Sequence, residues 1–273
     1  MTFPAPFTMG PALLFCPADR PERFAKAAER ADAVILDLED AVSPEGKAAA
    51  RSNLAGHTLN PARTIVRLNA ASTADFEADL AALAATPYRT VMLAKAESAE
   101  QVRRLEGFEV IALCETALGV VNAPAIAGEV NVVGLMWGAE DLVASLGGTS
   151  SRADDGGYRA VALHARSAVL LAAGAYGKAA IDAVYTAIPD LEGLSREAAD
   201  AAASGFAAKA CIHPNQVPAV REAYAPAEEA VAAARELLAA AEAAGSGVFQ
   251  FRGRMIDGPI LRHAEAVLRR TSV

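Results

Sequence analysis

Carboxylates recur in this chain directly after short apolar runs, where they would gather at the mouth of a fold rather than spread over its surface. Asp37-Leu38-Glu39-Asp40 closes one run, Glu115 follows a second, and Trp137-Gly138-Ala139-Glu140-Asp141 closes a third. Crowded carboxylates repel one another unless protons or a cation intervene. Oxygen donors without a His/Cys cluster suit Mg²⁺, or Mn²⁺, better than Zn²⁺. Mg²⁺ keeps several waters and takes one or two protein carboxylates. Glu115 and Asp141, at the ends of consecutive runs, fit that requirement. An ion so held acts as a Lewis acid on a substrate oxygen, so the expected chemistry is metal-assisted and the expected substrate small and carboxylated.

Arg67 lies inside Ile65-Val66-Arg67-Leu68, where an unpaired charge would be costly. It needs anionic partners: rim carboxylates, a substrate carboxylate, or both. A planar guanidinium suits bidentate carboxylate binding. Arg20 follows another apolar run just before an expected helix, and a cation beside a helix N-terminus makes an anion site suited to phosphate. The bland reading of Arg20, an exposed arginine, stands beside this one. His213, before Pro214, reads as a structural hydrogen-bonding residue, His164 as a helix residue at the surface or in helix packing, and Trp137 as a core aromatic.

The runs themselves are Ala12–Cys16, Ala33–Leu38, Thr64–Leu68, Thr90–Leu93, Val110–Cys114, Asn131–Met136, Ala179–Val184 and Ala207–Ile212. Most are continuously hydrophobic, as strands buried on both faces should be. Helical patterns lie between them: Pro21–Arg30, with Pro in its first turn; a helix opened by Ser43–Pro44, with Ser43 as N-cap; then Ser72–Ala85, Ser98–Leu105, Tyr158–Gly174 and Leu194–Ala203. Eight strand–helix alternations favour a parallel sheet closed into a (β/α)₈ TIM barrel. A doubly wound open sheet would more often carry a Gly-x-Gly-x-x-Gly loop, which is not seen. The barrel core is expected over 1–213. Residues 214–273 read as a C-terminal helical extension and lid, packing on the barrel or on a neighbouring subunit. It holds a long helix (Ala227–Ala244), a Gly245–Gly247 break, a short Val248–Met255 segment and a last helix from Pro259 to Arg270. In such barrels the active site lies at the C-terminal ends of the strands, which is where the carboxylates fall.

Composition narrows the partners. The chain has 273 residues, a formal net charge of −8 and no Lys/Arg-rich run, so no footprint for nucleic acid or an anionic membrane is present. Cys16, Cys114 and Cys211 are too few and too dispersed for a disulfide framework and read as buried core thiols. Met1–Gly10 has no basic n-region or apolar h-region, and no apolar stretch is long enough to span a bilayer. A soluble, cytoplasmic protein is expected.

Several segments, in order over nearly the whole chain, resemble the β-subunit of citrate lyase and its stand-alone homologues in the HpcH/HpaI aldolase superfamily. They are Leu14-Phe15-Cys16-Pro17-Ala18-Asp19-Arg20-Pro21-Glu22-Arg23-Phe24, Leu36-Asp37-Leu38-Glu39-Asp40-Ala41-Val42, Val66-Arg67-Leu68-Asn69, Lys95-Ala96-Glu97-Ser98, Cys114-Glu115-Thr116-Ala117-Leu118-Gly119, Gly138-Ala139-Glu140-Asp141-Leu142 and Ile212-His213-Pro214-Asn215-Gln216. The resemblance implies metal ligation by Glu115 and Asp141 and binding of a substrate carboxylate by Arg67. It implies that Asp37, Glu39 and Asp40 hold metal-bound water and orient Arg67, and that Arg20, Lys26 and Lys95 help bind coenzyme A phosphates. Gly253-Arg254-Met255-Ile256-Asp257 looks like the lid motif of related malyl-CoA lyases. That likeness implies that Asp257 is an acid/base reaching a neighbour's site, and that the protein is a homo-oligomer, typically a trimer.

The activity so implied is a Mg²⁺-dependent carbon–carbon lyase acting on a 3-hydroxyacyl-CoA thioester of citryl, malyl, citramalyl or hydroxymethylglutaryl type, with an oxo acid as co-product. Backbone N–H groups of Gly138 and Ala139 are the expected substrate-binding oxyanion donors. The alternatives are a CoA-independent class II aldolase of 2-oxo acids and a non-autonomous β-subunit of a citrate lyase complex. Two positions depart from the pattern. Ala94 stands where the family often has Pro, which would loosen the Lys95 loop, and Asp40 stands where pyruvate aldolases commonly carry His, which shifts weight to the thioester branch.

Overall fold

The computed structural model describes residues 7–57, 59–245 and 247–272. Most of Met1–Gly10, and Ser246 within the Gly245–Gly247 break, therefore lie outside the described residues. The chain divides after Val220 into two compact units.

The first unit alternates strands and helices: β1 (Ala12–Pro17), α1 (Phe24–Arg30), β2 (Ala33–Asp37), α2 (Lys47–Gly56), β3 (Thr64–Leu68), α3 (Ala74–Leu83), β4 (Thr90–Leu93), α4 (Ala99–Arg103), β5 (Glu109–Cys114), α5 (Ala117–Ala127), β6 (Val132–Trp137), α6 (Ala139–Ser145), α7 (Ala160–Ala175), β7 (Ala179–Asp182), α8 (Leu191–Ser204) and β8 (Ala208–Cys211). The next helix, α9 (Gln216–Tyr224), crosses the division. All eight strands are parallel and pair in chain order, and β8 returns to β1, so the sheet closes as a TIM barrel. The eight apolar runs thus became the eight strands, with no end shifted by more than two residues.

Side chains alternate across a strand with a period of two, and the register makes that alternation decide where the chemistry falls. Leu13, Ala33, Ile35, Ile65, Met92, Ile111, Leu113, Met136, Ile181, Ala208 and Ala210 form one buried cluster. This is the layered filling of a barrel interior. Two residues beyond Ile35, Ile65, Leu113 and Met136 on the same faces come Asp37, Arg67, Glu115 and Gly138. Asp37 stands opposite Arg67 in the β2–β3 ladder, and Cys114 opposite Trp137 in the β5–β6 ladder. The inward file of each strand therefore turns from hydrocarbon to charge at its C-terminal end.

The outward positions between β6, β7 and β8 carry a second polar cluster. Lys209 and Asp182 are fully buried. Lys209 Nζ donates to Asp182 Oδ2 (2.9 Å), Glu197 Oε1 (2.9 Å) and the Ala183 carbonyl (2.7 Å). Asp182 Oδ1 accepts from Trp137 Nε1 (2.8 Å) and Arg166 Nε (3.0 Å). This binds β6, β7 and β8 to α7 and α8. The charges of Lys209 and Arg166 outweigh burial and hold the Asp182 carboxyl below the usual carboxylate range.

Local signals explain several helix starts. Ser98, Thr116 and Asp190 accept bonds from Gln101 N, Gly119 N and Gly193 N, capping α4, α5 and α8. Ser43 is a correction: it occupies the N-cap position of a 3₁₀ turn, Pro44–Gly46, with no side-chain capping bond, and α2 begins only at Lys47. Sequence periodicity marks no helix at α5, α6 or α9. In α5 the composition is nearly uniform in apolar residues and includes Pro124, so no polar face reveals the 3.6-residue period. The three cysteines are free and buried, as expected. Among the described residues, no helix is long and apolar enough to cross a membrane.

The second unit contains α10 (Glu228–Ala244), β9 (Phe249–Phe251), β10 (Arg254–Ile256) and α11 (Gly258–Arg269). The Val248–Met255 segment is an antiparallel hairpin. Its turn residues Arg252 (φ 48°) and Gly253 (φ 76°) are both left-handed, the backbone that a two-residue hairpin turn demands. Asp257 is extended just before α11, and its side chain makes no capping bond to that helix.

Candidate active site

Arg67 and Asp37 form the floor of the charged layer. Arg67 Nε and Nη2 donate to Asp37 Oδ1 and Oδ2 at 2.7 and 2.6 Å, a fork-to-fork pair. Arg67 Nη1 lies 3.1 Å from Glu39 Oε2, and its guanidinium carbon sits 4.8 Å from the centre of the Phe15 ring. Burial alone would lower the Arg67 pKa, but the bonds and charge of Asp37, with Glu39 and Glu115 behind them, raise it above its ordinary value. Asp37 also accepts from the backbone N–H groups of Glu39 (2.9 Å) and Ala41 (3.1 Å). One carboxylate thus fixes both the arginine and the turn that follows β2.

Above this floor Lys95 joins three carboxylates. Its ammonium contacts Glu39 Oε1, Asp40 Oδ2 (3.2 Å) and Asp141 Oδ1 (3.4 Å). Its backbone is left-handed (φ 50°), which is uncommon without glycine and marks local strain. That conformation points its N–H at Glu115 Oε1 (3.1 Å). Lys95 therefore touches Glu115 through its main chain and Asp141 through its side chain.

Glu115 is 3 % exposed. Burial, then the charge of Asp141, pushes its pKa up to about 8 against the opposing charges of Arg67 and Lys95. Gly138 makes room for it, since a Cβ there would lie 2.9 Å from both Cβ and Oε2 of Glu115. The turn after β5 is as tight. A Cβ at Gly119 would come within 2.4 Å of the Ala96 carbonyl, so α5 can approach the Lys95 loop only through glycine.

These features fit a hard divalent cation. Glu115 is a carboxylate driven toward neutrality by burial and by the neighbouring charge of Asp141, more than Arg67 and Lys95 offset; its oxygens lie in a cradle that a methyl group would fill, and an ammonium already serves as counter-ion to Asp141. Among the described residues no three His, Cys, Asp or Glu side chains converge as a ligand cage; Mg²⁺ requires only one or two.

The structure thus brings together Asp37, Glu39, Asp40, Arg67, Lys95, Glu115, Asp141 and Gly138, with Ala139 opening α6 beside them. Arg20 and Lys26 are exposed on the segment after β1, where Arg20 Nε lies 3.9 Å from Asp19. Asp257 belongs to the second unit. His164 is exposed on α7, and Trp137 is a core aromatic with a satisfied N–H. His213 Nδ1 accepts from Asn215 N (3.2 Å), and the Gln216 amide ties this turn to the Tyr185 carbonyl (2.8 Å). Sequence reasoning missed Lys47, which donates to the Leu38 and Glu39 carbonyls, and Asp79, which holds Asn69 against the Leu38 carbonyl; a single lysine at a helix start carries no sequence mark.

This barrel is similar to known proteins along its whole length. The model of the HpcH/HpaI aldolase/citrate lyase family matches residues 12–214, and that of a C-C bond lyase of the TIM-barrel fold matches residues 156–273. The citrate lyase subunit beta-like protein of Mycobacterium tuberculosis is 59% identical over 261 residues, covering 96% of this chain and 95% of that protein. The mitochondrial citramalyl-CoA lyase of Homo sapiens is 34% identical over 287 residues, covering 93% and 83%. The crystal structure of CitE from M. tuberculosis in complex with magnesium, acetoacetate and coenzyme A superposes with a TM-score of 0.92 at 58% identity, covering 97% of this chain and 99% of that one. A barrel whose inward files end in Asp37, Arg67 and Glu115, matched along its length by these relatives, belongs to the HpcH/HpaI aldolase/citrate lyase family and is a carbon–carbon lyase.

Proposed function

We propose that the chain is a Mg²⁺-dependent lyase that cleaves or forms the carbon–carbon bond of a 3-hydroxyacyl-CoA thioester, giving acetyl-CoA or another acyl-CoA and an oxo acid. The observation that carries this reading is the buried Glu115 carboxylate set beside Asp141 and Arg67 at the barrel mouth. The magnesium, acetoacetate and coenzyme A of the M. tuberculosis structure support it. Citryl, malyl, citramalyl and hydroxymethylglutaryl thioesters all fit the class.

Glu115 and Asp141 would hold the ion, with Mn²⁺ as a substitute; when bound it supplies Lewis-acid polarisation of the oxo group. Arg67 retains N–H donors beyond those engaged by Asp37 and Glu39 and uses them to bind the substrate carboxylate. Asp37, Glu39 and Asp40 orient Arg67 and the water around the ion. Backbone N–H groups of Gly138 and Ala139 face developing negative charge on oxygen. In cleavage the C2–C3 bond breaks, the 3-hydroxyl proton leaves to a base, and the electron pair left on the acyl-CoA α-carbon takes a proton from Asp257. Condensation runs the same transfers backwards. Arg20 and Lys26 are the exposed cations offered to the coenzyme A phosphates, with Lys95 joining them only where it releases Glu39.

The purified protein with Mg²⁺ should cleave at least one of these four thioesters, and EDTA should stop the reaction. Activity on none of them removes the reading. Turnover of 4-hydroxy-2-oxo acids indifferent to coenzyme A would mark a class II aldolase instead, and activity only with an acyl-carrier partner would mark a subunit of a citrate lyase complex.

The functional unit in this reading is a homotrimer in which Asp257 serves a neighbour's site. Asp257→Asn should lower turnover about 100-fold, the scale of a lost general acid–base. Mixed oligomers of Asp257→Asn and Glu115→Gln chains should recover activity that neither has alone. A mixture as inactive as its parts would show that Asp257 acts within its own chain.

A further inference from the structure

A chain of contacts that the proposed reaction does not use ends on the backbone beneath Glu39. Lys47, the first residue of α2, donates from Nζ to the carbonyls of Leu38 (2.9 Å) and Glu39 (3.2 Å) and to Asn69 Oδ1 (2.7 Å). Asn69, just past β3, donates from Nδ2 to the same Leu38 carbonyl (3.0 Å) and to Asp79 Oδ2 (2.7 Å). The fully buried Asp79 carboxylate also accepts from Asn69 N (2.9 Å) and from Arg51 Nε (2.7 Å). Arg51 in turn is held by Asp75. Residues of α2, α3 and the end of β3 thus converge on two peptide carbonyls.

Buried carbonyls require donors. Those given by an ammonium are roughly twice as strong as neutral ones. The N–H side of the same turn is held differently: Glu39 N and Ala41 N donate to Asp37, and Asp40 N to Glu39 Oε2 (3.0 Å). Lys47 secures its carbonyl side. With both sides fixed, the Glu39 carboxylate is presented to Arg67 Nη1 and to the Lys95 ammonium at once.

We propose that Lys47 is a positioning residue for the lyase site. It fixes the turn after β2 and, through it, the Glu39 carboxylate that aligns Arg67 and Lys95. The effect on turnover rests on the lyase reading above; the hold on the turn does not.

The test compares Lys47→Met, Lys47→Arg, Glu39→Gln and the Glu39→Gln/Lys47→Met double variant. Lys47→Met should lower kcat about 10- to 100-fold, the range typical of groups that orient an active-site ligand, with KM changed far less. Lys47→Arg should recover most of the loss, and carries the same comparison if the methionine variant is unstable. Because the lysine acts through Glu39, adding Lys47→Met to Glu39→Gln should cost little further turnover. Amide exchange over residues 39–42 should rise about tenfold in Lys47→Met while β5 keeps its protection. Unchanged exchange in the turn overturns the proposal. So does a full additional loss in the double variant, which would make Lys47 independent of Glu39. A wild type inactive on every thioester would sink the lyase reading, while the exchange comparison still decides whether Lys47 holds the turn.

Discussion

Glu115→Gln should fold normally and lose about 1,000-fold or more in lyase turnover. The amide matches the carboxylate in size, so the space opposite Gly138 remains filled. What disappears is the negative charge, the feature a hard divalent ion binds. Lewis-acid stabilisation is worth several kcal/mol, and each 1.36 kcal/mol is about tenfold in rate, so loss of about 4 kcal/mol gives the stated drop. Calorimetric titration should show Mg²⁺ affinity falling together with turnover, and far-UV circular dichroism should show an intact barrel. Wild-type turnover in the variant would remove Glu115 from the metal site. Full Mg²⁺ affinity with lost turnover would assign it a proton instead.

The second large effect concerns stability, away from the chemistry. Lys209→Met removes the cation shared by Asp182 and Glu197. Removing one partner of a buried ion pair costs about 3–5 kcal/mol, because the charge left behind stays uncompensated. For a chain of this size, each kcal/mol shifts Tm by about 2–4 °C, so a fall of roughly 6–20 °C is expected. Arg166 and Trp137 still reach Asp182, which places the result toward the smaller end. The pH dependence has a definite sign. The fold raises the Lys209 pKa, chiefly through the charges of Asp182 and Glu197 against the effect of burial, and lowers that of Asp182. The lysine contribution is therefore complete below its unfolded value of about 10.4 and is lost as pH rises beyond it. The aspartate contribution is complete above about 3.9 and is lost as pH falls below it. Chemical denaturation should find the gap between wild type and variant widest at intermediate pH. A Tm within 2 °C of wild type would show that the cluster is not stabilising.

The sequence disclosed most where one physical rule acted alone. Strands buried on both faces must be apolar, so the eight runs stood out, and charges that interrupted or ended them on the inward face, Asp37, Arg67 and Glu115, drew notice for the same reason. Lys95 was visible through the family resemblance, but its place among Glu39, Asp40 and Asp141 depends on a left-handed backbone that no propensity signals. Lys209 sits in an otherwise apolar run and finds its partners on β7 and α8, contacts made only when the sheet closes. Lys47 was illegible because its partners are main-chain carbonyls, which every residue possesses. The helix α5 escaped for the opposite reason: it is apolar almost all round, and no polar stripe remains to count.

Closure of the sheet has a consequence for how this chain resists association and fraying. Exposed strand edges are the usual templates on which other chains add. In the barrel each strand has a neighbour on both sides, and β1 is flanked by β2 and β8. The described residues leave edge strands only in the hairpin of β9 and β10, each three residues long and too short to seed an extended ladder. Unravelling of the ring cannot creep inward from a border; its first and last strands must part together, so loosening either terminus of the barrel loosens both.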